Sequence, residues 1–200
     1  TNWQTVQAGW YHCLAIKKDG TLWAWGRDYE GQLGDGSNTN KNIPTQIGTE
    51  QNWLDIGSGY IHTLAIKQDG SLWAWGNNTY GRLGDGTNID KNTPIQVGSD
   101  TDWLNVSVGY GHSFAMKQDG STWSWGANYA GVLGYGGYLN SNVPLPIVSP
   151  ITYNINTTIC SNQLPFNWNG LSFSNSGTYT FSASNSTGCD SLITLNLVIN

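Results

Sequence analysis

Charged residues are scarce in this chain. It has 200 residues, of which eight are Lys or Arg and 13 are Asp or Glu, so that 10% are charged and the formal net charge is -5. A typical globular protein has roughly 25% charged residues. With no cluster of Lys or Arg to displace counterions from phosphates, we expect no nucleic acid and no anionic membrane as a partner.

Long apolar segments are also missing. No run approaches the roughly 20 residues that span a bilayer, so we expect no insertion into a membrane. The first residues, Thr1-Asn2-Trp3-Gln4, have no basic segment followed by an apolar one, which is the pattern of a signal peptide. A signal removed earlier and a fragment lacking its upstream part both remain open.

Cysteine is rare, with Cys13, Cys160 and Cys189. An odd number cannot pair completely within one chain. Cys160 and Cys189 lie in one short segment and are the plausible disulfide, which would staple a small domain and require an oxidising compartment. Cys13 matches Thr63 and Ser113 of two later segments, and we interpret it as a small residue on a packed strand.

Glycine and tryptophan, in contrast, are abundant, with 26 and 11 residues. This composition is typical of many short strands joined by tight turns and offers little material for amphipathic helices. We therefore predict an all-β protein.

The first three quarters of the chain are an internal repeat with a period of 50 residues. Trp3, Trp53 and Trp103 open three units at about 2–50, 52–100 and 102–148, within a domain spanning 1–150. The motifs that recur in order are Gly9, Gly59, Gly109; His12, His62, His112; Asp19-Gly20, Asp69-Gly70, Asp119-Gly120; Trp23 to Gly26, Trp73 to Gly76, Trp123 to Gly126; and Gly31 to Gly34, Gly81 to Gly84, Gly131 to Gly134.

The local pattern of each unit predicts β-structure. In the first unit, residues 12–17 and 21–25 alternate with the period of two that is typical of strands, and Asp19-Gly20 between them predicts a hairpin with a type I′ turn. Both faces of these strands are apolar, which favours sheets stacked face to face. A period near 50 residues with four short strands is typical of propeller blades.

The motifs carry a family resemblance. The run Val6 to Ile16, followed by Asp19-Gly20, Trp23 to Gly26 and Gly31 to Gly34, resembles the repeat of the regulator of chromosome condensation superfamily over roughly residues 2–148. The resemblance implies a propeller, usually seven-bladed, that serves as a protein-binding scaffold. Members of the family include exchange factors for the small GTPase Ran and secreted bacterial proteins.

Three repeats are fewer than a closed ring needs. Known propellers have about four to eight blades, and three blades leave apolar faces and strand edges open. We expect either that the chain is part of a longer one with further repeats or that several copies form a ring-completing homo-oligomer.

The last quarter, residues 151–200, is a different module. Ser, Thr and Asn dominate, Asp190 is its only charged residue, and residues 178–183 and 191–198 alternate as strands. Ser149-Pro150 marks the linker. The segments 159–170, 177–179 and 188–191 resemble repeats of large secreted or surface proteins of Bacteroidetes-type bacteria, which implies an adhesin-like domain and an extracellular or cell-surface location.

No pattern of catalytic residues or metal ligands stands out. His12, His62 and His112 share one position in a strand that we expect to be buried, without neighbouring carboxylates or cysteines, so we assign them a structural role and predict no metal. Nucleophile elbows, Rossmann glycines and Walker motifs are absent from the sequence, so we predict no cofactor and no enzyme. Six repeated tryptophans are assigned to blade packing: Trp23, Trp25, Trp73, Trp75, Trp123 and Trp125.

Partner-binding residues are expected in loops where the repeats differ, because binding residues concentrate in loops on rigid scaffolds and Tyr and Arg are enriched in interface hot spots. The candidates are Tyr11, Arg27, Tyr29, Glu30, Tyr80, Arg82, Tyr129, Tyr135 and Tyr138. The leading hypothesis is a non-catalytic, secreted or surface-displayed scaffold that binds a protein or a glycan. The alternatives are guanine-nucleotide exchange on a small GTPase, implied by the family resemblance, and a structural spacer without a specific ligand.

Overall fold

The first three quarters of the chain fold into three four-stranded antiparallel sheets, one for each repeat. The structure is a computed structural model and describes residues 2–147, 151–168, 171–184 and 190–200. The first sheet contains β1 (Trp3–Ala8), β2 (His12–Lys17), β3 (Leu22–Gly26) and β4 (Lys41–Ile47), in that order. The all-β repeat architecture predicted from the 50-residue period is thereby confirmed.

The second and third sheets repeat this meander. The second contains β5 (Trp53–Ser58), β6 (His62–Lys67), β7 (Leu72–Gly76) and β8 (Lys91–Gln96). The third contains β9 (Trp103–Val108), β10 (His112–Lys117), β11 (Thr122–Gly126) and β12 (Ser141–Pro146). Short 3₁₀ turns at Thr79–Gly81 and Tyr129–Gly131 begin the loops that follow β7 and β11.

The hairpin predicted at each Asp-Gly pair is present, but the predicted type I′ turn is wrong. Gly20 has a φ of +80°, whereas Asp19 does not enter the positive region that a type I′ turn requires at both positions. The Gly20 amide donates to the Lys17 carbonyl at 2.8 Å, and the Lys17 amide donates to the Thr21 carbonyl at 3.0 Å. This pattern is a three-residue loop, a type I turn followed by a glycine bulge.

The hydrophobic core lies between the blades, as the two apolar faces of each sheet predict. One cluster joins Leu14, Ile16 and Leu22 of the first blade to Ile56 and Trp75 of the second. A second cluster joins the second blade to the third in the same way. Each blade therefore needs a neighbour to bury its faces.

Two further hydrogen bonds repeat at each junction. The indole Nε1 of Trp75 donates to the Gln32 carbonyl at 3.0 Å, and that of Trp125 donates to the Arg82 carbonyl at 2.9 Å. Trp75 and Trp125 are completely buried, whereas Trp25, at the matching position of the first blade, is only partly buried. The expectation of further repeats or of a ring-completing oligomer stays a prediction.

The remaining three repeated tryptophans lie two residues earlier on the same strands, nearer the Asp-Gly hairpins, and lysines contact their rings. The Lys17 ammonium is 3.5 Å from the centre of the Trp23 ring, and the Lys67 ammonium is 3.6 Å from that of Trp73. In the third blade Lys117 is 5.0 Å from Trp123. Cation–π contacts and packing thus hold these rings in place.

The last quarter forms a separate small β unit. A three-stranded sheet in the order β13-β17-β16 combines β13 (Ile151–Ile159), β16 (Gly177–Ser184) and β17 (Asp190–Ile199), with β13 parallel to β17. A short hairpin of β14 (Phe166–Trp168) and β15 (Leu171–Phe173) completes it. Its core is formed around Phe173, Leu195 and Leu197, and the two strands predicted here are confirmed as β16 and β17.

The chain divides into two compact units near the boundary expected from composition. The first unit contains Thr1–Gly134 and Tyr138–Ile147, and the second contains Tyr135–Gly137 and Val148–Asn200. The linker predicted at Ser149-Pro150 lies outside the described residues. Within the described residues no helix has the length and apolarity to cross a membrane.

The cysteines leave the predicted disulfide untested. Cys160 is exposed and forms no disulfide with any described residue, and Cys189 lies outside the described residues. The pairing of Cys160 with Cys189 therefore stays a prediction. Cys13 is also free and partly buried on β2, and burial raises the pKa of its thiol.

Candidate functional site

Most of the candidate loops meet at one end of the three blades. In the first blade, the loop between β1 and β2 and the loop between β3 and β4 share an end, because the antiparallel register pairs His12 with Gly26. The Arg27 amide donates to the Tyr11 carbonyl at 2.8 Å and ties the two loops together. We call this the loop end; the opposite end carries the Asp-Gly hairpins.

Four aromatic rings form a group at the loop end, and three of them are exposed: Trp10, Tyr11 and Tyr110. Tyr60 and Tyr110 stack with their ring centres 4.2 Å apart, and Trp10 meets them edge-on at 5.6 and 6.0 Å. Tyr11 is 5.2 Å from Tyr60. Trp10 is 69% exposed and Tyr110 is 54% exposed. We call these four residues the aromatic cluster.

The cluster forms because three matching loops converge. Trp10, Tyr60 and Tyr110 each follow the recurring glycine at positions 9, 59 and 109, and β5 packs against both β1 and β9. Glycine is required before the ring, since a Cβ on Gly59 would lie 2.7 Å from the Gly109 carbonyl oxygen.

The aromatic cluster carries no charge near neutral pH. Hydrogen bonding with the Tyr11 side chain raises the pKa of Tyr60 to about 12. The rings therefore offer apolar faces and hydroxyl groups, and no carboxylate or imidazole belongs to the cluster. Such a group can bind a surface by packing and hydrogen bonding.

Sequence reasoning found only Tyr11 among the four residues. The other three, Trp10, Tyr60 and Tyr110, hold one repeat position that is aromatic in all three repeats. A search restricted to positions where the repeats differ therefore passes over them. A usable signal is present in the sequence, because each ring follows a glycine and precedes the alternating strand. Large rings in a loop, outside the strand alternation, do not contribute to the blade cores.

Arg27, Tyr29 and Glu30 form a corner beside the cluster. The Arg27 guanidinium lies 5.0 Å from the ring centres of both Tyr11 and Tyr29, and its Nη2 donates to Glu30 Oε1 at 2.8 Å. Tyr29 is exposed, whereas the two charged side chains are partly buried. At this corner the charges of Arg27 and Glu30 neutralise each other, and the Tyr29 ring beside them is exposed.

Tyr80 and Tyr129 extend the aromatic surface over the next two blades. Their ring centres are 5.5 Å apart with an edge-on geometry, and both rings are exposed. Tyr138 is also exposed, in the third long loop, whereas Tyr135 is partly buried and belongs to the second unit. The structure thus brings five candidate residues of the first unit together with the cluster: Tyr11, Arg27, Tyr29, Tyr80 and Tyr129.

Arg82 differs from the expectation of an exposed loop side chain. It is only 5% exposed, because it lies at the junction between the second and third blades. Its carbonyl accepts hydrogen bonds from Trp125 Nε1 and from Ser113 Oγ at 2.7 Å. The loop position of Arg82 was predicted correctly, but its exposure was not.

His12 and His62 lie inside the blade junctions. His12 Nε2 is 2.9 Å from Thr63 Oγ1 and 3.0 Å from Ser58 Oγ, and His62 Nε2 is 3.0 Å from Ser113 Oγ. Burial lowers the pKa of His12 to about 4 and that of His62 well below its ordinary value. His112 is half-buried beside Phe114, and burial lowers its pKa too.

The described part of the chain contains no group of three or more potential metal ligands among its His, Cys, Asp and Glu side chains. His12 and His62 each hydrogen-bond to a hydroxyl group of the next blade. Neutral imidazoles in such surroundings hold adjacent sheets together.

Comparison with known proteins places this arrangement in a family. Two models of the regulator of chromosome condensation (RCC1) repeat match residues 19–66 and 69–116, and residues 3–32 and 53–82, and together they cover more than half of the chain. The four-stranded sheets and their order define blades of a β-propeller. The chain belongs to the RCC1 repeat superfamily.

Solved structures support the same fold. The first unit resembles Prp20p from Saccharomyces cerevisiae, a structure reported with its binding properties to Gsp1p and histones, with a TM-score of 0.68 and 24% identity over 74% of this chain and 39% of that chain. It also resembles yeast RCC1 (Prp20) bound to Kap60, with a TM-score of 0.65 and 26% identity over 74% and 37%. Human WBSCR16 matches with a TM-score of 0.65 and 24% identity over 72% and 37%. The chain spans under two fifths of the length of these relatives.

Proposed function

We propose that the first unit is a non-catalytic protein-binding module that engages its partner through the loop end. The observation that carries this proposal is the aromatic cluster, in which Trp10 and Tyr110 pack against Tyr60 and yet stay largely exposed. Large exposed apolar patches mark interaction sites, and Trp and Tyr dominate interface hot spots.

The cluster is also preorganised. Rings already fixed by mutual contacts lose little conformational freedom on binding, which favours affinity. The relatives support a protein as the partner, because Prp20p is described with binding to Gsp1p and histones and yeast RCC1 with binding to Kap60.

A displayed random peptide library, panned on the immobilised 200-residue protein, tests this proposal. We expect enriched peptides whose affinity falls about tenfold or more when Trp10→Ala or Tyr110→Ala removes a ring. Ile43→Ala is the matched control, because Ile43 is an exposed apolar residue of the outer strand β4. Near-ultraviolet circular dichroism checks that each variant is folded.

Two results would overturn the proposal. Peptides that bind the ring variants and the wild-type protein equally would move the site away from the loop end. A library without enrichment, together with binding to immobilised glycans that Trp10→Ala abolishes, would replace the protein partner with a glycan.

Guanine-nucleotide exchange on a small GTPase is the second candidate, favoured by the likeness to Prp20p. The three repeats have uniform length and no inserted segment that could act as a wedge. We therefore expect no acceleration of labelled-nucleotide release from a small GTPase. A clear acceleration would replace the scaffold proposal with exchange activity.

We further propose an extracellular or cell-surface location, in a bacterial adhesin-like protein. The support is the Ser-, Thr- and Asn-rich second unit and its pair Cys160 and Cys189. Protease treatment of intact cells producing the protein should degrade it, and protection until the cells are lysed would contradict this location.

A further inference from the structure

Arg82 occupies a repeat position that varies in chemistry. The matching residues are Gln32 in the first blade and Val132 in the third. In each unit a glycine with positive φ precedes this position and a buried leucine, Leu33, Leu83 or Leu133, follows it. The charge at this position is therefore not required by the blade fold.

The guanidinium of Arg82 is buried and poorly paired. Its Nε donates to the Thr79 carbonyl at 2.9 Å, but Nη1 is buried and has no hydrogen-bond partner among the described residues. Nor does a carboxylate in the described ranges form an ion pair with it. Burial lowers the pKa of Arg82, yet arginine stays protonated near neutral pH.

Asp90 does not neutralise this charge. It acts on Arg82 electrostatically, but its carboxylate is engaged elsewhere. Its Oδ1 accepts a hydrogen bond from the backbone N–H of Asn78 at 2.6 Å, and its Oδ2 accepts one from Asn77 Nδ2 at 3.2 Å. An unpaired buried cation is costly, so the arrangement favours an anion supplied from outside.

The surroundings of Arg82 belong to the loop end. Tyr80, Tyr110 and Tyr129 lie near enough to Arg82 to affect its pKa, and all three rings are exposed. Position 111, where the other blades have Tyr11 and Ile61, is a glycine, and a Cβ there would lie 3.8 Å from Arg82 Nη2. No side chain at 111 therefore fills the space beside Nη2.

The geometry points to a single carboxylate as the ligand. We propose that Arg82 binds an Asp or Glu side chain of the protein partner, with Tyr80, Tyr110 and Tyr129 packed around the ion pair. This inference rests on the proposed function, because it places the partner on the same loop end. Because Nε is engaged by the Thr79 carbonyl and Nη1 is buried, Nη2 is the donor that meets the carboxylate, and a hydrogen bond between two charged groups is stronger than one between neutral groups.

Charge balance favours a carboxylate over a phosphate. One guanidinium compensates one negative charge, and Asp90 contributes a negative potential nearby. The whole chain has a net charge of -5. A phosphate dianion would carry two negative charges, of which Arg82 could balance one, and the negative potential of Asp90 would repel the other.

A double-mutant cycle with the enriched peptides tests the proposal. Each peptide is synthesised as selected and with every Asp or Glu replaced by Asn or Gln, and both forms are titrated against the wild-type protein and Arg82→Gln. We expect the amide form to bind the wild-type protein about 10- to 100-fold more weakly and both forms to bind Arg82→Gln equally. Gln32 holds the matching position of the first blade, so Arg82→Gln should fold.

The control variant is Lys18→Gln, which removes the same charge at an exposed position of the hairpin end. It should leave the difference between the acidic and amide peptides unchanged. Equal losses in Lys18→Gln and Arg82→Gln would reduce the effect to net charge and overturn the assignment. Arg82→Lys keeps the charge without the fork and should restore part of the acidic preference.

The remaining outcomes separate this inference from the proposed function. If Tyr110→Ala abolishes binding while Arg82→Gln leaves the acidic preference intact, the loop end is the binding surface and Arg82 is not the carboxylate site. If neither variant weakens binding, the partner does not bind at the loop end, and both the proposed function and the carboxylate site at Arg82 are wrong. Competition by millimolar inorganic phosphate that Arg82→Gln removes would assign the guanidinium to a phosphate ligand instead.

Discussion

Replacing Asp28 by Asn should stabilise the protein near neutral pH. Asp28 is completely buried at a position where the other blades have Asn78 and Asn128. Its Oδ1 accepts from the Leu33 amide at 2.9 Å, whereas Oδ2 is buried without a hydrogen-bond partner among the described residues. In the second blade, Asn78 has a side-chain donor where Asp28 has Oδ2, and this Nδ2 donates to Asp85 Oδ1 at 2.9 Å.

The expected magnitude follows from the proton that Asp28 holds. Burial, with a contribution from nearby Asp35, raises the pKa of Asp28 from 3.8 to about 6. One pKa unit corresponds to about 1.4 kcal/mol, so ionised Asp28 destabilises the fold by about 3 kcal/mol. Because the folded pKa is the higher one, this penalty is absent below about pH 4, grows between about pH 4 and 6, and is constant above.

The proton stays on Asp28 rather than on Asp35. Burial alone would raise the pKa of Asp35, but hydrogen bonds from Lys41 and Ser37 outweigh it and lower that pKa. The Lys41 ammonium is 2.9 Å from Asp35 Oδ2. Asp28→Asn supplies permanently the donor that protonated Asp28 supplies only in acid.

Urea unfolding from pH 4 to pH 8, followed by tryptophan fluorescence, measures the effect. Every tryptophan except Trp168 belongs to the first unit. The measured quantity is the difference in unfolding free energy between Asp28→Asn and the wild-type protein at each pH. The difference is needed because His12 also makes stability depend on pH. Burial lowers its pKa from 6.5 to about 4, so both proteins become less stable as the pH falls through this range, and the difference cancels that loss.

We expect this difference to rise from near zero at pH 4 to about 3 kcal/mol at pH 7. Asn78→Asp, which introduces a buried acid at the matching position, should lower stability at pH 7 and serves as the reverse control. A difference that stays flat from pH 4 to pH 8, or a loss of stability in Asp28→Asn at pH 7, would show that ionised Asp28 does not destabilise the fold.

The remaining predictions concern the blade junctions and use the same unfolding assay. Gly84→Ala should lower the free energy of unfolding by about 2 to 4 kcal/mol, because its Cβ would lie 2.7 Å from Trp125 Nε1. Gly98→Ala, which has a similar positive φ but open space around it, should lower it by about 1 kcal/mol. Equal losses of stability in the two variants would contradict the role of the contact with Trp125. Thr63→Val should cost about 1 to 3 kcal/mol because it removes the hydroxyl that hydrogen-bonds His12 across the junction. Thr63→Ser should retain most of that stability, and a loss as large as that of Thr63→Val would point to packing instead.

Much of the blade architecture could be predicted because it rests on short-range chemistry. Alternation in residues 12–17 and 21–25 indicates strands, and Asp19-Gly20 indicates a hairpin. The turn type was wrong, since the Asp19 carboxylate accepts from the Thr21 amide at 3.1 Å and the loop closes over three residues. Side-chain bonds of this kind compete with the standard two-residue turns.

The candidate site was predictable only in part. Tyr29, Tyr80 and Tyr129 are exposed at the loop end, as the variable loops suggested, and their exposure follows from their position outside the strands. Trp10 and Tyr110 were missed because binding residues were sought only where the repeats differ, and this position is aromatic in all three. Exposure depends on what covers a side chain, and sequence spacing alone does not report it.

The period, the strands, the hairpins and the change of module after residue 150 can all be recognised from residues that lie close together in the chain. That Trp10 and Tyr110, 100 residues apart, share one cluster and that Arg82 is buried beside Gly111 becomes visible in the folded blades alone. Stacking of the blades sets these contacts. Each blade covers one side of its neighbour, so burial and charge pairing at a loop are properties of the junction and not of the repeat.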